Sequence, residues 1–269
     1  MTSAESPYGD LVDTTLRAMT WNVWGRFGPW EQRERAITAV LRASAPDIVL
    51  LQECWCDDAG ANQAARLGEL LDMHHCFSGG NAILSRWPTT DVREHALPAL
   101  DTAGWGGLAL RAAIEGPRRS VLVYCVALDC PPAASLARQH SLRHLAGLMH
   151  ADVASVKAPL VVGGDFNAGP GSDEIRMLTG AREPAAPEFV LFDAWTNAAV
   201  PGDAGLTWSR SNMWAAPNLL PDQRIDYLFT GWPRRGGVGS AVSAWCAGME
   251  AIDGVVPSDH YAVVADVRY

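Results

Sequence analysis

"PLVVGGDFNAGPGSDEI" (159–175) ends an apolar run on two polar side chains two positions apart. Leu160, Val161 and Val162, bounded by Lys157 upstream and a glycine pair downstream, read as a short buried strand. Side chains along a strand alternate faces, so Asp165 and Asn167 project to one side and Phe166 to the other. Gly163 and Gly164 leave room for close approach of backbone or ligand. Ser172, followed by Asp173 and Glu174, suits a helix start. Such a strand-to-helix corner either caps its own turn or presents a carboxylate and an amide to a ligand. The stretch alone leaves both open.

Working outward, apolar strands and amphipathic helices alternate in the first half of the chain. "RAMTWNVWG" (17–25) and "DIVLLQE" (47–53) are strands, separated by a helix over 30–45 with Ile37, Val40 and Leu41 at helical spacing. Pro46 ends that helix. A helix over 62–73 precedes a strand at "NAILSRWP" (81–88), then two strands over 107–116 and 120–129. A long helix over 133–153 leads back to the opening stretch. Strands dominate beyond it, at 188–195, 205–209, 224–231, 239–246 and 259–269. So many short strands cannot share one open sheet, which predicts two packed β-sheets with helices outside. With no Ser- or Gly-rich linker, the division is an N-terminal leader (1–17) and one domain (18–269).

Composition narrows the function classes. Apolar residues make up 48% of the 269 positions and the formal net charge is −9. An acidic balance disfavours broad, salt-driven binding to nucleic acid, which needs clustered Lys and Arg. It does not exclude a nuclease whose metal ions carry the positive charge. The start lacks a basic n-region and an apolar h-region, and no apolar run reaches the length of a transmembrane span. The six cysteines then read as buried apolar residues of a cytoplasmic protein. Cys54 and Cys56 lack a second pair with which to complete a zinc site.

Several strands end on residues an ordinary core would not choose. Asn22, Glu53, Asp165, Asn167 and Asp226 close or open apolar segments, and Asp259 with His260 precedes the last strand. Each has a plain structural explanation: Asn22 caps a turn, Glu53 is solvated, Asp226 pairs with Arg224. The joint pattern is what points to chemistry.

"TWNVWG", "VLLQECW", "NAILSRWP", "VVGGDFNAGPGSDEI", "GLTW", "RIDYLF" and "VPSDHYAVVADV" occur in an order that resembles the endonuclease/exonuclease/phosphatase superfamily. That group includes DNase I-like nucleases, abasic-site endonucleases, inositol polyphosphate 5-phosphatases and neutral sphingomyelinases. The resemblance covers residues 18–269 and implies a four-layer α/β sandwich of two mainly antiparallel sheets flanked by helices. It implies a metal-dependent phosphoesterase with Mg²⁺ at Glu53, Asn22 and Asp259, and Mn²⁺ as the alternative ion. Oxygen donors of this kind suit a hard cation. It further implies Asp165 as base or water-positioning group and Asn167 as the amide on a phosphoryl oxygen. His260 would stand beside the scissile phosphate, with Asp226 fixing its tautomer and favouring its charge.

One position departs from the resemblance. Family members often carry Thr-His-Leu on the strand corresponding to "YCVALDCPP" (124–132), where the ungapped reading places Ala127. A shift of two brings Asp129 there instead, while His140 and His144 fall on the following helix. Abasic-site enzymes replace that histidine with tyrosine.

The chain has eleven tryptophans, most of them expected in the core or at its rim. Trp30 and Trp208, with Arg26 after the Asn22 strand, are the candidate substrate contacts. The leading expectation is hydrolysis of a small-molecule or lipid-like phosphate mono- or diester by in-line attack of water. A DNA or RNA endo- or exonuclease is the first alternative. A non-hydrolytic binding protein or recruited biosynthetic enzyme is the second, and it draws on Ala127.

Overall fold

The computed structural model describes residues 6–100 and 105–269. β1 (Thr15–Asn22) enters the first sheet and is followed by α1 (Trp30–Ser44), β2 (Ile48–Gln52) and α2 (Gln63–Leu71). β3 (His74–Ser78) and β4 (Asn81–Ser85) form a hairpin beside β2. The second sheet takes β5 (Thr89–Ala96), β6 (Gly107–Glu115) and β7 (Ser120–Leu128), then β8 (Leu160–Asp165) after the long α3 (Ser135–Val156). α4 (Asp173–Leu178), β9 (Phe192–Asp193), α5 (Ala194–Ala198) and β10 (Asp226–Thr230) follow. β11 (Ala241–Ala247) and β12 (Ala262–Arg268) return to the first sheet.

The sheets have the orders β11-β12-β1-β2-β4-β3 and β5-β6-β7-β8-β10-β9. Most neighbours are antiparallel, with parallel pairs at β1–β2 and β7–β8. Each parallel step spans a helix, the usual connection between parallel neighbours. Three apolar layers hold the sandwich. Leu16, Ile48 and Leu50 meet Val123, Val161 and Leu228 between the sheets. Met19, Val49 and Ala262 pack under Ile37, Leu41 and Leu67 of α1 and α2. Val126, Val162 and Phe229 pack under Leu142, Leu145 and Met149 of α3.

Three local differences from the sequence pattern have physical causes. β1 begins at Thr15, inside the expected leader, because Arg17 is tied down by Asp47 and Asp266. "EFVLFDAW" gives only a two-residue strand, because Asp193 accepts from the Trp195 N–H and caps α5. β3 and β5 are edge strands of exposed or half-buried residues, so they carry no apolar signal.

The glycine pair serves packing. A Cβ at Gly163 would lie 2.7 Å from Leu50 and 2.9 Å from both Leu228 and Thr20, so the facing sheets close over bare backbone there. A Cβ at Gly164 would collide with the Val126 carbonyl of β7.

Candidate active site

Strand parity brings the predicted residues together. On β1 and β2, Leu16, Ala18, Ile48 and Leu50 face the second sheet, so Asn22 lies on that same face. On β8 and β10, Val161 and Leu228 face the first sheet, which puts Asp165 and Asp226 on the inner face too. β8 and β10 pair with Asp226 opposite Asp165. Two like charges placed opposite one another destabilise a sheet unless something positive stands between them. His260 does: its Nδ1 is 2.9 Å from Asp226 Oδ2 and its Nε2 3.9 Å from Asp165 Oδ2.

The histidine is fixed from several sides. Trp21 Nε1 donates to its carbonyl, its own N–H donates to Ser258 Oγ, and the Trp208 indole packs edge-on against the ring. Burial opposes its charge, but Asp226, Asp165 and Asp259 outweigh burial and hold the imidazole well above its ordinary range. Burial, with Asp226 adding to it, pushes Asp165 up to about 7. Burial and nearby Glu53 raise Asp259 to about 6.

Asn22 joins the two halves of the site. Its Nδ2 donates to Glu53 Oε1 at 2.9 Å and to Asp165 Oδ2 at 3.1 Å, while its Oδ1 accepts from the Trp24 N–H. The plain turn-cap role is thus present, and the same side chain also bridges two of the candidate carboxylates. Asp226, by contrast, does not pair with Arg224, which binds the buried Asp193 instead. Asn167 donates to the Leu128 carbonyl at the end of β7, and its own N–H donates to Asp165 Oδ1. Ala127 is half-buried and pairs in register with Asp165, so the departure from the family pattern lies beside that carboxylate.

A cleft of ≈ 610 Å³ opens over these residues, and Glu53, Asp165, Asn167, Asp259, His260 and Trp208 line it. Arg26 and Trp30 do not. The Arg26 guanidinium lies 4.1 Å over Trp55 and 4.9 Å over Trp30, with Asp57 at 3.8 Å. Among the described residues, Asp165, Asp226 and His260 are also close enough for their ligating atoms to share one ion. The imidazolium between two carboxylates already accounts for that cluster. Glu53 and Asp259 offer the less compensated oxygens, and a divalent cation would offset the burial, with Glu53 adding to it, that raises Asp259. The donor set fits a hard ion.

Arg33 was not singled out by any motif. Buried on α1, it donates to the carbonyls of Val23, Trp24, Gly25, Phe27 and Pro257. A charged residue one turn before Ile37, on the apolar stripe of its helix, was the available signal. Thr207 is similar: its hydroxyl accepts from the N–H groups of Ile225 and Asp226 and so fixes the start of β10.

The sequence profile of the Endonuclease/Exonuclease/phosphatase family matches residues 19–260. The chain belongs to that family. Its members are metal-dependent phosphoric ester hydrolases, and this chain is one by class. A comparison with curated proteins finds no match. Solved structures of the same fold include truncated Caenorhabditis elegans TDP2, with a TM-score of 0.72 at 20% identity, covering 95% of this chain and 98% of that one. The human Nocturnin catalytic domain with bound sulfate gives 0.69 at 20% identity and 96% coverage of each. D. rerio TDP2 complexed with single strand DNA product gives 0.70 at 18% identity, covering 94% of this chain and 99% of that one. No helix among the described residues is long and apolar enough to cross a membrane.

Proposed function

We propose that the protein hydrolyses a small-molecule or lipid-like phosphate ester with the help of Mg²⁺, which Glu53 and Asp259 hold and Asn22 helps to orient. The observation that carries this reading is the hydrogen-bonded chain Glu53–Asn22–Asp165 running directly into the Asp165–His260–Asp226 cluster. When bound, the cation supplies positive charge to the phosphoryl oxygens and to the leaving oxygen.

The chain's own residues do the rest. Asp165, raised by burial to about 7, orients the attacking water and takes its proton as the new P–O bond forms and the opposite bond from phosphorus to the ester oxygen breaks, the leaving oxygen departing with that electron pair. His260, charged through Asp226, donates from Nε2 to a non-bridging phosphoryl oxygen and stabilises the charge that accumulates there. Asn167 holds a second oxygen at the end of β8.

A polynucleotide substrate is the second reading, favoured by the D. rerio TDP2 complex with single strand DNA product. The net charge of −9 counts against it. Hydrolysis of bis-p-nitrophenyl phosphate, before and after chelation and Mg²⁺ addition, tests the main reading. Turnover that survives exhaustive chelation would overturn it, and efficient plasmid nicking would move the assignment to the second.

A further inference from the structure

Beside the carboxylates, the cleft wall is aromatic. Trp24 lines it in a left-handed conformation (φ 55°) that bulky residues rarely adopt. Its N–H is held by the same Asn22 side chain that bridges Glu53 and Asp165. The Trp24 ring stacks with Phe27 at 5.6 Å and meets Trp214 at 5.6 Å. Trp214 is pinned in turn by its indole N–H, which donates to the Val256 carbonyl. Leu220 continues the cleft lining. Phe27 is 60% exposed and Leu220 38% exposed, so this apolar surface faces solvent next to the most polar point of the molecule.

Charge says what can lie there. The lining contributes the carboxylates of Glu53, Asp165, Glu174 and Asp259. Its two cations are committed, Arg138 to Glu174 at 2.9 Å and His260 to Asp226. Among the described residues lining the cleft, no cation is left over for a second phosphate. Resting on the hydrolase reading above, we propose that Trp24 and Leu220 of the cleft lining, flanked by the exposed Phe27 stacked on Trp24, form a subsite for an aromatic group esterified to the single phosphate that the cleft accepts. The ring lies against the Trp24–Phe27 pair and Leu220 while the phosphate lies over Glu53 and His260. Stacking of a flat group on such a platform has a selectivity of about tenfold or more.

Phenyl phosphate and methyl phosphate differ in carrying or lacking the aromatic group, and calorimetry compares their binding. Wild type is expected to bind phenyl phosphate about tenfold or more tighter. The Phe27→Ala, Leu220→Ala double variant is expected to bring the preference to within about twofold. Equal binding by wild type, or a preference unchanged in the variant, overturns the subsite and leaves the hydrolase reading intact. Failure of wild type to turn over bis-p-nitrophenyl phosphate with Mg²⁺ would overturn the hydrolase reading and leave the binding comparison to decide the subsite. A single-stranded oligonucleotide that displaces phenyl phosphate with a salt dependence of several charges would overturn the single-phosphate assignment.

Discussion

The Arg33 guanidinium donates to the Pro257 carbonyl at 2.9 Å with the same nitrogen that reaches Val23, at 3.0 Å. One buried cation therefore stitches the segment after Asn22 to the segment before Asp259. Burial, only partly offset by Asp259 and Glu53, lowers its pKa to about 10, so it remains charged at neutral pH. Arg33→Met leaves five carbonyls without their donor and lowers stability by about 3 kcal/mol or more. Mg²⁺ affinity falls as well, because the two loops lose their common tie. Chemical denaturation and calorimetry check both parts, and an unchanged Mg²⁺ affinity would confine Arg33 to stability.

Glu53→Gln keeps volume and removes the charge that holds a hard cation. Glu53 is exposed at the end of β2, so the fold survives the change. Mg²⁺ affinity is expected to fall about 100-fold or more. Calorimetric titration of the folded variant measures it, and wild-type affinity would remove Glu53 from the metal set.

Asp226→Asn acts through His260. The amide still accepts from Nδ1–H but cannot stabilise the imidazolium. We expect kcat to fall about 100-fold or more with Mg²⁺ affinity near that of wild type. The ionisation of the His–Asp pair should also shift in the pH–rate profile. Equal profiles for the two proteins would contradict the assignment.

The metal-free protein should lose stability as pH rises. Asp165 and Asp259 titrate near 7 and 6 in the folded state against an ordinary 3.8, and His260 titrates well above 6.5. All three shifts are upward, so the folded state binds more protons than the unfolded one from about pH 4 to beyond neutrality. Stability contributed by these groups is therefore present at mildly acidic pH and lost toward pH 8 or so. Melting temperatures in chelator across that range should decline, and Asp165→Asn should flatten the slope. Mg²⁺ added at the alkaline end should restore part of the loss. A rising stability over the same range would refute the charge crowding.

Ala127→His places a donor on β7 next to Asp165, its in-register neighbour on β8. A charge-assisted bond to the phosphate contributes roughly 1.5–3 kcal/mol, which is about tenfold or more in rate. The comparison is wild type against variant on bis-p-nitrophenyl phosphate. A loss of turnover would instead mean that the space beside Ala127 is shaped for substrate.

Where apolar periodicity and side-chain alternation carried the information, the chain was readable in advance. β1, β2 and β8 present runs such as Ile48–Gln52 that are buried throughout, and parity alone turns Asn22 on one sheet and Asp165 and Asp226 on the other toward each other. Exposed edges defeat that logic, as the polar β5 shows. Ion pairs between distant positions are equally hidden. Arg224 lies two residues from Asp226 but binds Asp193, and nothing local distinguishes the two acids. Proximity in sequence misled at Arg26 as well: the chain turns after Asn22 and lays that guanidinium on Trp55 rather than over the cleft. Arg33 was legible only as an anomaly, a charge on an apolar stripe.

The closing of the two sheets over Gly163 has a consequence for how the protein can evolve. One sheet carries Asn22, the other carries Asp165 two positions beyond Gly163, and a hydrogen bond between those two side chains spans the gap. The thickness of the apolar interior at that point acts as a gauge for the active centre. A methyl group added there, or a bulkier residue at Leu50 or Leu228, would be read out as slower turnover while the chain still folds. Drift in the dry interior is thus answerable to selection on rate, although none of those residues touches the phosphate.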